Sequence, residues 1–301
     1  MAFATAVVKH SHRWERIVLK NFHDYARMAQ LLSKLRLPIL QDLIVPIDED
    51  KRWDETNNPS PMFIQTWTMP SLRNLVCDNA ALRCRITSRL DTFRFHSTRK
   101  ALCILEELAQ FIASPSASRL RELTLDCEFW GNMRNQATFP DGVAKKTNAQ
   151  NSIQLEQLQM LIVKIGGGIQ NNEKIITDVV GLLRSPNISS ITLDLNVYSG
   201  INAFALWLDW LKSQTFAKLK NARLLLRGDA HDVGDVKHQL IYAYKEFSDW
   251  EFKFGRSQKH FRASSVFIDQ YDKEIPLEEF CSRFQGFYED EEISDHYDDE
   301  F

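Results

Sequence analysis

Leu37-Pro38-Ile39-Leu40-Gln41-Asp42-Leu43-Ile44-Val45 carries the spacing on which the fold turns. Leu40, Leu43 and Val45 stand at Φ-x-x-Φ-x-Φ, where Φ is apolar. The spacing returns as Trp14/Ile17/Leu19, Leu72/Leu75/Cys77, Leu90/Phe93/Phe95 and Leu120/Leu123/Leu125. It continues as Leu158/Leu161/Val163, Ile188/Ile191/Leu193 and Leu219/Ala222/Leu224, with a weaker copy at Phe247/Trp250/Phe252. First positions are mostly 26 to 38 residues apart, with one step of 18 between Leu72 and Leu90. The Φ-x-Φ end alternates with period two, which puts two side chains on one face of a strand. The residue three earlier sits on the incoming turn and closes the same core. One such unit cannot bury its apolar side alone, so the units must stack.

Segments of helical period lie between these strands. Phe22, Tyr25, Ala29, Leu32 and Leu35 form one stripe, and Ala101, Leu105, Leu108 and Ile112 a second. Ile176, Val180 and Leu183 form a third, and Phe204, Leu208 and Leu211 a fourth. Asn172 and Asn202 precede two of these runs as candidate N-caps, and Pro186 follows the third stripe, where a helix must stop. An ordinary doubly wound α/β sheet also alternates strand and helix and stays open as an alternative. Two features favour stacked repeats. Strand starts share a lead-in, as in Leu37-Pro38-Ile39-Leu40, Met69-Pro70-Ser71-Leu72 and Ser118-Arg119-Leu120, and the strands lack the long apolar runs of a sheet buried on both faces. The expected fold is therefore α/β, an irregular solenoid of strand–helix units.

Composition narrows the function classes. The chain has 301 residues, 44% apolar and 26% charged, as in a globular protein with a sizeable core. A net charge of −3 supplies no global basic field for nucleic acid or membrane. Cys77, Cys84, Cys103, Cys127 and Cys281 are odd in number and show no zinc-finger spacing. Scattered thiols point to the cytoplasm or nucleus, which makes the sequon Asn187-Ile188-Ser189 accidental. The N-terminal apolar run is too short for a signal peptide, and no stretch reaches the roughly 20 apolar residues of a membrane span.

His10-Ser11-His12-Arg13-Trp14-Glu15-Arg16-Ile17, then Leu37-Pro38-Ile39-Leu40-Gln41-Asp42-Leu43, then Trp67-Thr68-Met69-Pro70-Ser71-Leu72-Arg73-Asn74-Leu75 follow one another in that order. In this the chain resembles the F-box/leucine-rich-repeat proteins expanded in mushroom-forming fungi, over about residues 10 to 226. The resemblance implies a leucine-rich-repeat-like solenoid that recognises the protein substrates of a ubiquitin ligase. The F-box expected before the "SHRW" strand has no room in residues 1–9, so stable docking to the ligase adaptor is not expected. Regular repeats of that type carry Asn just after the strand. Only Asn196 stands near such a position, where other units have Asp48, Ala80, Thr98 and Gly166, so the solenoid should be irregular.

Chemistry-bearing candidates are few. Gly166-Gly167-Gly168 lacks the frame of a phosphate loop and reads as a turn. His231, Asp232, Asp235 and His238 crowd together without H-E-x-x-H spacing, and Asp235 reads as the N-cap of a helix beginning near Val236. No G-x-S-x-G elbow exists. Phe252-Lys253-Phe254-Gly255-Arg256, with Lys259, His260, Phe261 and Arg262, interleaves rings and cations; an edge strand is favoured over a nucleic-acid platform. Of Trp207 and Trp210, one should be core and one partly exposed.

The expected organisation is a lead-in at 1–9, a solenoid at 10–226, an α/β cap at 227–287 and an acidic, disordered tail at 288–301. Polar loops at 47–62 and 131–152 should line one rim of the stack. The function read from this is protein–protein interaction with an unidentified protein, with no catalytic, cofactor-binding or metal-binding residue. A stand-alone scaffold, or a truncated F-box-like product without a ligase link, is the alternative. An enzyme with a site invisible in sequence is the third reading.

Overall fold

The computed structural model describes residues 8–19, 31–45, 64, 66–77, 86–96, 104–130, 152–167, 169–197, 201–228, 237–256 and 260–285, and every structural statement below concerns those residues. Their strands are β1 (Arg16–Val18), β2 (Asp42–Ile44), β3 (Asn74–Cys77), β4 (Thr92–His96), β5 (Glu122–Trp130) and β6 (Ile153–Gln154). There follow β7 (Met160–Gly167), β8 (Leu183–Arg184), β9 (Ser190–Asn196), β10 (Asn221–Arg227), β11 (Arg262–Ile268) and β12 (Glu274–Pro276). Among the described residues ten of these form one sheet in the order β1-β2-β3-β4-β5-β7-β9-β10-β11-β12, and β6 pairs with β8 apart from it. Strand order follows chain order, and every pair is parallel until β12 turns back antiparallel on β11.

Each copy of the apolar spacing from Trp14/Ile17/Leu19 to Leu219/Ala222/Leu224 falls on a strand of this sheet. The copies stand in one register: Leu43, Leu75, Phe93, Leu123, Leu161, Ile191 and Ala222 are partners from strand to strand, and all are buried. Units of unequal length keep this register because each docks on its predecessor in the same way. The carbonyls of Glu15, Gln41, Arg73, Asp91, Arg121, Gln159 and Ser189 each accept two successive N–H groups from the next unit. Backbone groups at the strand entrance, which burial would otherwise leave unsatisfied, are thereby paired. The lead-in turn recurs as well. N–H groups of Leu40, Leu72, Leu120, Leu158 and Ile188 donate to the carbonyls of Leu37, Met69, Ala117, Leu155 and Ser185. Those earlier residues are buried, so the repeated spacing is longer by one position than the triplet alone.

Helices α1 (Ile104–Ile112), α2 (Ile169–Asp178), α3 (Ile201–Ser213), α4 (Lys237–Gly255) and α5 (Leu277–Gln285) pack side by side in chain order. Leu108, Ile112, Ile176, Phe204, Trp207 and Phe247 belong to the same core as the strand ladder. An aromatic band ties its C-terminal part together, with ring centroids of Trp207–Phe247 at 6.2 Å, Trp250–Phe254 at 5.3 Å and Phe254–Phe261 at 4.9 Å.

The structure corrects several expectations. Phe247/Trp250/Phe252 is not a strand unit. It lies in α4, where Leu240, Ala243, Phe247 and Trp250 are buried at the three-and-four spacing of a helix. Phe252 to Gly255 close that helix instead of forming an edge strand, and the strand that follows is β11, at Arg262. Asn172 and Asn202 do not precede helices, since α2 begins at Ile169 and α3 at Ile201. α2 ends at Asp178, so Val180 falls in a short 3-10 turn and Leu183 in β8. Gly166 and Gly167 are the end of β7, not a turn. Trp207 and Trp210 are both buried. The acidic tail, Cys84, Cys103 and most of the loops at 47–62 and 131–152 lie outside the described residues.

Candidate functional site

The strand positions that alternate with the buried ladder make up the other face of the sheet, and they are mostly polar and half-buried or exposed. Three rows run across it. The first is Asp42, Asn74, Thr92, Glu122, Met160, Ser190 and Asn221. The second is Val18, Ile44, Val76, Arg94, Thr124, Ile162, Thr192 and Arg223. The third is His96, Asp126, Lys164, Asp194 and Leu225. Row neighbours are a strand spacing apart, about 4.8 Å, so adjacent side chains interact directly.

The third row alternates basic and acidic side chains. His96 Nδ1 lies 3.0 Å from Asp126 Oδ2, and Lys164 Nζ 4.0 Å from the same oxygen. Asp194 is 4% exposed and receives two hydrogen bonds from Arg227, from Nε at 2.8 Å and Nη2 at 3.1 Å. A carboxylate so far out of water needs this bidentate fork to offset its desolvation. Arg227 Nη1 also donates to Asp272 at 3.3 Å, and Arg223 donates to both oxygens of Glu274 at 2.9 and 2.8 Å. These pairs tie the turn around β12 to the sheet. Beside them Arg94 is exposed at the centre of the face, and Val18 is exposed at its β1 end.

Sequence reading singled out none of His96, Asp126, Lys164, Asp194 and Arg227. A signal existed for the first four: each directly follows the last Φ of its unit, so by strand alternation it points away from the core. The residues it did single out are not gathered. His238 is exposed on α4, while His231, Asp232 and Asp235 lie outside the described residues. Lys253 and Phe254 lie in the last turn of α4, and Arg256 stacks on Phe252 at 4.1 Å. Among the described residues no three His, Cys, Asp or Glu side chains stand close enough to hold a metal ion. His96 is held by Asp126 as an imidazole in a hydrolytic triad would be, yet its other nitrogen has no hydroxyl or thiol partner among the described residues.

The strand entrances form a separate rim with two open grooves. One, of about 520 Å³, is lined by Arg121, Gln159, Asn187, Ser189, Lys218 and Lys220, with Glu156. The other, of about 490 Å³, is lined by Gln41, Ser71, Arg73, Ser88, Arg89 and Arg119. Both are shallow and wide, unlike the enclosed apolar pocket of a small-molecule site.

No helix among the described residues is long and apolar enough to cross a membrane. No family model, no curated protein and no solved structure matches the chain.

Proposed function

We propose that the chain is a leucine-rich-repeat-like solenoid that binds another protein across the polar face of its sheet, and that it has no catalytic role. The observation that carries this reading is the ladder of docked units, parallel and in chain order, with one face buried and the other open. Stacked repeats offer an extended, nearly continuous surface, which suits a macromolecular partner. A row of alternating charges fixes the orientation of a partner more than it adds affinity. The resemblance to F-box/leucine-rich-repeat proteins supports substrate recognition for a ubiquitin ligase in the cytoplasm or nucleus. A stand-alone scaffold is the second reading, and co-elution with the ligase adaptor separates the two.

The test is affinity capture from native extract with two full-length variants of equal melting temperature. Arg94→Glu alters the sheet face, and Lys245→Glu alters α4 on the helical side. The expected result is one partner retained by Lys245→Glu and lost, tenfold or more, with Arg94→Glu. Equal capture by both contradicts binding through the sheet face.

A further inference from the structure

The chain as a whole is acidic, with 40 acids against 37 Lys and Arg. The rim at the strand entrances is richer in cations, although Asp91 stands between Arg73 and Arg121 in the same row. Its two grooves are lined by Arg73, Arg89, Arg119, Arg121, Lys218 and Lys220 against a single acid, Glu156. All six cations are exposed, and none has an acidic partner within salt-bridge distance among the described residues. This contrasts with the sheet face, where Lys164, Arg223 and Arg227 are paired with acids. Cations gathered on one edge of an acidic molecule repel one another, and an anion laid along them relieves that repulsion.

The repeat explains the gathering. Arg89, Arg119 and Lys218 precede the first Φ of their units, and Arg73, Arg121 and Lys220 follow it. Both positions flank a buried side chain on the incoming turn, so both project at the rim of every unit. Arg119 lines one groove and Arg121 the other, on either side of Leu120, which makes the two grooves neighbours along one edge. From β3 to β10 that edge crosses about 24 Å at a strand spacing of about 4.8 Å, the length of roughly seven extended residues.

We infer that this rim binds an extended, Asp/Glu-rich peptide segment of a partner protein. Carboxylates of such a segment reach the guanidinium and ammonium groups, while Gln157 and Gln159 offer side-chain amides to its backbone. Single-stranded nucleic acid is the competing polyanion, but it is held by bases stacked on rings, and neither groove is lined by an aromatic side chain. The inference deepens the protein-binding reading and rests on it, yet it concerns a surface distinct from the sheet face.

Fluorescence anisotropy with the full chain and a labelled peptide of about eight alternating Glu and Asp residues tests it. A second background, full length with Glu289, Asp290, Glu291 and Glu292 changed to Gln or Asn, removes competition from the chain's own acids. Binding is expected in at least one background, about tenfold weaker when salt rises from about 50 to about 300 mM. It should fall tenfold or more in the triple variant Arg73→Glu/Arg119→Glu/Arg121→Glu, whose melting temperature verifies its fold. Arg94→Glu on the sheet face should leave peptide binding within twofold, which separates this rim from the sheet-face reading. No peptide binding in either background, equal binding by the triple variant, or tighter binding of a single-stranded RNA of matched length overturns the inference.

Discussion

Leu123 is fully buried on β5 with Phe93 and Leu161 as its in-register neighbours, so a charge there has no partner and no water. Leu123→Asp should cost more than about 4 kcal/mol and leave the chain unfolded by circular dichroism at 25 °C; a cooperative melt near that of the parent would contradict the placement. The ion pairs separate by depth. Asp194→Ala removes the carboxylate that Arg227 holds in a 4%-exposed position and should cost about 2–4 kcal/mol. Glu274→Ala breaks an exposed pair with Arg223 and should stay within about 1 kcal/mol. Paired chemical denaturation curves read this difference, and equal costs would contradict it. Cys281 gives a pH signature, since burial pushes its thiol up to about 11 from 9.0. The folded state holds its proton where the unfolded chain releases it, so this contribution is complete below pH 9 and is lost as pH rises towards 11. Cys281→Ala should flatten the fall in melting temperature across that window, and an unchanged alkaline slope would refute the assignment.

Elements show where sequence periodicity works and where it stops. The strand ladder was legible because Φ-x-Φ alternates with the period of a strand and returns along the chain, and each copy from Ile17 to Ala222 lies in the sheet. The copy at Phe247 failed because Φ-x-x-Φ also fits a helix, and the wider pattern Leu240, Ala243, Phe247, Trp250 decides for the helix. The helix starts expected after Asn172 and Asn202 were four and two residues late, since a single Asn is a weak marker of where the first turn begins. The open-face ionisable groups were not legible as a group: His96, Asp126, Lys164 and Asp194 are 30 to 38 residues apart in sequence and meet only through register. Element packing also sets one backbone requirement. A Cβ on Gly228 would lie 2.6 Å from Cγ2 of Val197, and the Gly228 N–H donates to Ile268 across from β10 to β11. Gly228→Ala should therefore cost about 1–3 kcal/mol by pressing on Val197 at the end of β9. An unchanged denaturation midpoint would mean that Val197 moves aside without strain.

For the whole molecule, strands laid down in chain order give one face of the sheet to the core and leave the other open. The helices and the buried ladder close a single core, while polar and charged rows cover the alternate face. Binding on that face is the central claim, and site-specific photo-crosslinking in native extract tests it most directly. A benzophenone side chain introduced at Arg94 or Thr124 samples the sheet face, and one at the exposed Tyr242 samples α4. A discrete crosslinked protein is expected from positions 94 and 124, the same from both, and none from 242. A crosslink from 242 alone would contradict it.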